Sequence, residues 1–170
     1  MRALAFSFVA LLVLTVCAYA VGDQPTMSTA RVIKVIDGDT YLVESLDLPA
    51  GRLTKIRPYL VSCPEIDKTP PECYAAEAEQ YCWNLLLGRC VWIVDYGRRS
   101  GDRLMAFVYL DPQRTVLLQT LLVAQGLARA DVRHPEEEAM RAVIEAAESW
   151  AREHLIGLWG ACPESLEPIP

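Results

Sequence analysis

Four charged side chains sit at the margins of apolar runs: Asp39 in "VIDGDTYLV", Arg57 in "TKIRPYLV", Glu65 in "SCPEID" and Arg103 in "GDRLMAF". Each has an ordinary explanation on its own. Asp37-Gly38 is a good hairpin dipeptide, with the glycine expected to supply a positive φ. An arginine inside a strand can snorkel at a sheet edge, and Pro-Glu after a strand can be a turn. The hairpin reading leaves Asp39 over, because aspartate is a poor strand former. Together, two guanidiniums and two carboxylates suit a phosphodiester. Guanidiniums stay charged and grip phosphate oxygens with paired N–H donors. A carboxylate orients or deprotonates water. Oxygen ligands hold a hard cation against the phosphate.

Bringing these groups together demands a small β-structure. Residues 31–36 and 39–45 are rich in Val, Ile, Tyr and Thr around Gly38, which is a hairpin signal. Residues 52–61 read as a third strand, with Pro58 placing it at an edge or a bulge. "CPEIDKTPPEC" is a Pro-rich loop. Ala75, Ala78, Cys82, Leu85 and Leu86 then fall at helical spacing, closed by Gly88. "CVWIVD" and "RLMAFVYL" read as two more strands, joined by the polar loop "YGRRSGD", and "VLLQTLLVAQ" as a helix ended by Gly126. A last helix is expected to start near Pro135, with Glu136, Glu137 and Glu138 suiting its positive end. Its buried stripe is expected to be Val143, Ala147, Trp150, Ala151 and Leu155, with Gly157 ending it. This order predicts an α+β fold, mainly β: a five-stranded OB-type barrel of antiparallel strands with an inserted helix and two C-terminal helices. Such barrels commonly bind nucleic acid.

At the N-terminus, Arg2 precedes the apolar run "ALAFSFVALLVLTVCAYA", in which Ala18 and Ala20 flank Tyr19. That pattern predicts a cleaved secretory signal over residues 1–20. The run is short for a membrane anchor, and no stop-transfer charges follow it. A lipid-anchored form through Cys17 is the lesser alternative, because Val16 is bulky where lipoprotein signals place a small residue. The remaining divisions are a linker at 21–30, the barrel domain at 31–162 and a Pro-punctuated tail at 163–170.

The chain carries 16 Lys and Arg against 22 Asp and Glu, a net charge of −6, and the leader holds only Arg2 among these. An acidic chain does not draw polyanions through its overall field. A nucleic-acid partner must therefore meet a local basic site or a bound cation. Cys17 leaves with the leader, and Cys63, Cys73, Cys82, Cys90 and Cys162 remain. Export permits disulfides. Two bridges and one free thiol would fit, with the pairing open. No C-x-x-C occurs, and His134 and His154 are not spaced against a cysteine pair, which argues against zinc.

Taken in order, "VIDGDTYLV…IRPYLVSCPE…CYAAEA…LLLGRCV…DRLMAFVYL…LLVAQGLAR…AESWAREHLIGLW" resembles the staphylococcal-nuclease-like (thermonuclease) family from about residue 31 to 160. The resemblance implies a calcium-dependent nuclease on an OB-type barrel. It implies that Asp39 ligates calcium, that Arg57 contacts the scissile phosphate, that Glu65 acts on the attacking water and that Arg103 stabilises the transition state. It also exposes departures. Ser62 stands where the family has a second ligating aspartate, so it would serve through its hydroxyl or a water unless Asp67 reaches in. Cys63 stands where a backbone carbonyl ligates the metal. Gly101, Val132 and His134 stand where tyrosines hold the nucleotide, with Arg98, Arg99 and Arg133 as the candidate replacements for phosphate contact.

The expectation is an exported, monomeric phosphodiesterase acting on DNA and/or RNA. Ca²⁺ would sit on Asp39, Ser62 and Cys63, with no stable membrane partner after signal cleavage. The alternative is a barrel that has lost turnover and binds nucleic acid or protein. Ser62 and the missing tyrosines favour the alternative, and the intact Arg57, Glu65 and Arg103 favour the enzyme.

Overall fold

The computed structural model describes residues 25–47, 52–131 and 138–162. β1 (Thr26–Asp37) and β2 (Thr40–Ser45) form the expected antiparallel hairpin, with Val32 opposite Val43 and Asp37 opposite Thr40. Val32 and Val35 are both buried although their odd spacing should place them on opposite faces. A register shift between Val32 and Lys34 absorbs the extra residue, as a bulge does. β3 (Leu53–Pro58) pairs with β2, placing Tyr41 opposite Ile56. After β4 (Val61–Ser62) come α1 (Ala75–Leu86), β5 (Cys90–Ser100) and β6 (Arg103–Tyr109). The barrel closes in the order β1-β2-β3-β6-β5.

The closing pair corrects the all-antiparallel expectation: β3 and β6 run parallel, with Lys55 opposite Arg103 and Arg57 opposite Met105. Parallel neighbours need a crossover, and α1 with β5 supplies it. Val32, Tyr41, Val43, Ile56, Val91, Ile93 and Phe107 fill the core. α2 (Leu118–Ala124) is joined to β6 by fully buried Gln119, whose amide donates to Ala106 O at 2.9 Å and accepts from Val108 N at 3.3 Å. β7 (Arg129–Ala130) pairs with β4 in a small second sheet, with Ser62 opposite Arg129. α3 (Glu138–Glu153) and α4 (Leu158–Ala161) end the described fold.

Three further expectations change. β1 starts at Thr26, inside the stretch read as a linker at 21–30, because Thr26–Ala30 pair with Asp95–Val91 of β5. The "YGRRSGD" loop is mostly strand: β5 runs on to Ser100, and its register shifts between Asp95 and Arg99, where Gly97 takes φ 76°. The buried stripe of α3 keeps Ala147 and Ala151 of the expected set but is rotated at its other members. Ile144 and Ala151 are buried and Met140 and Ala147 pack partly, whereas Val143, Trp150 and Leu155 are 52%, 49% and 60% exposed. Glu148 goes with that rotation: its Oε1 accepts the Ala130 N–H at 3.0 Å on the inward side. Pro135, Glu136 and Glu137 lie outside the described residues, as do the signal and tail segments.

The C-terminal turn docks where two glycines meet. A Cβ on Gly126 would lie 2.1 Å from Ile156 O, and one on Gly157 would lie 2.4 Å from Gly126 O. With neither Cβ present, Leu158 N donates to Gly126 O at 2.9 Å.

Candidate active site

The β1–β2 turn separates its two aspartates by role. Asp37 is the ordinary turn residue: its Oδ1 accepts the Asp39 N–H at 2.9 Å, closing an Asx turn. Gly38 is required by crowding and does not adopt the positive φ expected of it. A Cβ there would lie 2.8 Å from Cys63 Cβ and 3.2 Å from Ala78 Cβ. The turn is further pinned by Tyr41, whose hydroxyl donates to Gly38 O at 2.6 Å.

Asp39 points inward and is only 4% exposed. Its Oδ1 accepts from Arg57 Nη1 at 2.7 Å, and its Oδ2 accepts from the Cys63 N–H at 2.8 Å. Burial pushes the Asp39 carboxyl up to about 6. The Arg57 charge and the Cys63 N–H oppose that rise, while the Asp37 and Glu65 charges add to it. Arg57, 9% exposed, also donates from Nη2 to Ser62 Oγ at 3.3 Å. One guanidinium therefore bridges the β1–β2 turn to the end of β4.

Arg103, at the start of β6, reaches the same turn from the other side. Its Nη1 donates to Thr40 Oγ1 at 3.2 Å and its Nη2 to Ser100 Oγ at 3.3 Å. Thr40 Oγ1 in turn lies 3.5 Å from Asp39 Oδ1. Thr40 stands in the "GDT" run, where a β-branched residue opening a strand gives no sign of such a role. Glu65 is half-buried on the loop after β4, near enough to Asp39 that its charge raises that carboxyl. Asp39, Arg57, Ser62, Cys63 and Arg103 thus meet at one end of the barrel, with Glu65 on the adjoining loop.

The other candidates fare differently. Asp67 is exposed on the loop, where its charge acts on Lys68. The Arg98 guanidinium stacks over Tyr59, 5.8 Å from the ring centre. Arg99 and Gly101 lie exposed along the β5–β6 hairpin. Val132, Arg133 and His134 lie outside the described residues. Cys63 and Cys82 are buried thiols held protonated, since burial pushes Cys63 well above its ordinary value and Cys82 up to about 12. Cys63 therefore meets the site through its backbone. A single bridge, Cys73–Cys162, is seen among the described residues, where two would have fitted.

Calcium takes about six to eight oxygens, and its affinity follows the carboxylate count. The donors here are of the right kind: the Asp39 carboxylate and the Ser62 hydroxyl converge on one positive group, the Arg57 guanidinium. Charge is short. Among the described residues, no three acidic, histidine or cysteine side chains converge as a metal group. The set fits a weak cation site that competes with Arg57.

The closed five-stranded barrel, with arginines and carboxylates gathered at one rim, is an OB-type barrel. Residues 55–161 match the model of the staphylococcal nuclease homologues. Over 136 residues the chain is 30% identical to a thermonuclease of Staphylococcus hyicus, covering 77% of this chain and 75% of that protein. The chain belongs to the staphylococcal nuclease homologue family.

Proposed function

We propose that the protein is an exported, monomeric nuclease that hydrolyses phosphodiester bonds of DNA and/or RNA at the Asp39–Arg57–Arg103 rim. The observation that carries this reading is the run of contacts from Arg57 through Asp39 and Thr40 to Arg103. It holds two guanidiniums at one turn, beside a half-buried glutamate. Arg57 and Arg103 bind the phosphate oxygens, and their charge grows more valuable as negative charge develops in the transition state. Glu65 orients the attacking water and takes its proton. Arg57 exchanges its Asp39 and Ser62 partners for phosphate oxygens, so substrate replaces an internal pair with an external one. Asp39, the Ser62 hydroxyl and the Cys63 carbonyl would hold the calcium that the family resemblance implies, which supplies positive charge beside the phosphate. Export over residues 1–20 agrees with the Cys73–Cys162 bridge, which suits an oxidising compartment. No helix among the described residues is long and apolar enough to cross a membrane.

The test is purified mature protein incubated with single-stranded DNA and RNA, in calcium and in chelator, beside Glu65→Gln. Parental cleavage and a loss of about 10²-fold or more in the variant are expected, the range of general-base catalysis. A Glu65→Gln protein as active as its parent removes the role given to Glu65. A second reading, a binding barrel without turnover, is favoured by Ser62 in place of a carboxylate. It predicts retained single-strand binding with no cleavage by the parent.

A further inference from the structure

Glu65 sits on a loop, and something must hold it against the rim. The loop closes on itself at one residue. Glu72 Oε2 accepts the Glu65 N–H at 2.7 Å, and the Glu72 N–H donates to Glu65 O at 3.0 Å. Both backbone polar groups of Glu65 are thus held by Glu72. Between them the chain is Pro-rich, and residues 67–73 are all exposed. Glu72 is itself ion-paired with Lys68. Burial pulls its carboxyl upward, but the hydrogen bonds from Lys68 and from the Glu65 N–H, with the Lys68 and Arg129 charges, hold it below the usual carboxylate range.

The next residue, Cys73, is bonded to Cys162, directly after α4. α4 does not move freely. Its Trp159 is 1% exposed and lies under the guanidiniums of Arg152 and Arg129, 4.0 Å and 5.1 Å from the ring centre. Arg129 is also the residue opposite Ser62 in the β4–β7 pair. A covalent and packed path therefore runs from the body of the protein through Cys162 and Cys73 to Glu72, and ends on the Glu65 backbone.

We propose that Glu72 is the positioning residue of Glu65, and that the Cys73–Cys162 disulfide anchors Glu72 so that the Glu65 carboxylate stays at the phosphate-binding rim. The inference rests on the nuclease reading above. A displacement of about 1 Å in a reacting group costs on the order of 10²-fold in rate, so a released loop lowers kcat while the phosphate-binding arginines keep KM.

The test measures kcat and KM on single-stranded DNA and RNA for the oxidised parent, Glu65→Gln, Glu72→Ala and Glu72→Gln. Glu72→Ala is expected to lower kcat about ten- to a hundredfold, with KM within about threefold. Glu72→Gln keeps an amide oxygen that accepts the Glu65 N–H and is expected to restore most of kcat. A Glu72→Ala protein with parental kcat overturns the proposal, as does Glu72→Gln failing as badly as Glu72→Ala. Should Glu72→Ala melt early, folded parent reduced by a phosphine carries the test. There, a kcat loss with unchanged far-UV circular dichroism supports the anchor, and full activity overturns it. An inactive parent overturns the nuclease reading beneath it, and a fully active Glu65→Gln overturns the water-handling role of Glu65 and the positioning role of Glu72 with it. An active parent, an inactive Glu65→Gln and a parental Glu72→Ala overturn the positioning role alone.

Discussion

The two halves of the site are built differently. Asp39 and Arg57 come from β-strand ends, are 4% and 9% exposed and are tied to each other and to the Cys63 backbone. Glu65 lies half-exposed on a Pro-rich loop whose tie runs through Glu72 and a disulfide at the far end of the chain. The half proposed to bind phosphate is therefore part of what holds the barrel together, and the half proposed to handle water hangs from it. Damage to the first should unfold the protein, and damage to the second should only stop it.

The largest contrast is in stability. Arg57→Ala leaves a buried Asp39 without its guanidinium, and breaking a buried pair in this way costs about 3–5 kcal/mol. Glu65→Gln alters a half-exposed side chain and should stay within about 0.5 kcal/mol of the parent. Urea denaturation of both variants in chelator tests the division. Equal midpoints would show that the Asp39–Arg57 pair contributes nothing to the fold, and the two halves would no longer differ in kind.

A smaller effect comes from pH. Asp39 binds its proton at about 6 in the folded chain, whereas an unfolded aspartate waits until about 4. The folded state thus takes up protons first as pH falls, and this raises its stability relative to the unfolded chain. The contribution is present at low pH and is lost as pH rises through about 6. Between pH 7 and pH 5 the parent should gain about 1 kcal/mol relative to Asp39→Asn, which cannot titrate. A stability difference between the two proteins that stays flat over this range would show that Asp39 is ionised throughout, better paired than its burial indicates.

The same division decides what could be read from the residues alone. The hairpin and α1 were legible because their apolar periods, two and about three and a half, differ and each run has its terminator in Gly38 or Gly88. The candidate acids and arginines were legible because each sits awkwardly for its element. The parallel β3–β6 pair was hidden, since strand direction follows from how α1 and β5 return the chain and not from any residue in β6. The rotation of α3 was hidden because two apolar stripes one residue apart both have helical spacing. A single hydrogen bond, from Ala130 N–H to Glu148, accompanies the one that is used. Gly38 suggests a positive φ by its type, yet it serves by leaving room for Cys63. Glu72 and Thr40 were missed for a common reason: each acts through a partner remote in sequence or through backbone, and neither leaves a mark on spacing.

The finest test bears on the boundary between the halves, at Ser62, whose hydroxyl takes the second arm of Arg57. Ser62→Asp adds a carboxylate at that point, and calcium affinity rises with carboxylate count. The gain is limited by the same arginine. A new carboxylate beside Arg57 draws the guanidinium as well as the metal, and the ion must displace whatever Arg57 already satisfies. Calcium binding measured by calorimetry should therefore tighten only a few-fold, on the order of 1 kcal/mol or less. Adding inorganic phosphate should enlarge the gain, because an anion that engages Arg57 leaves both carboxylates to the cation. Unchanged calcium binding with phosphate present would mean that Ser62 does not face the cation, and that Arg57 is the positive charge this site is built around.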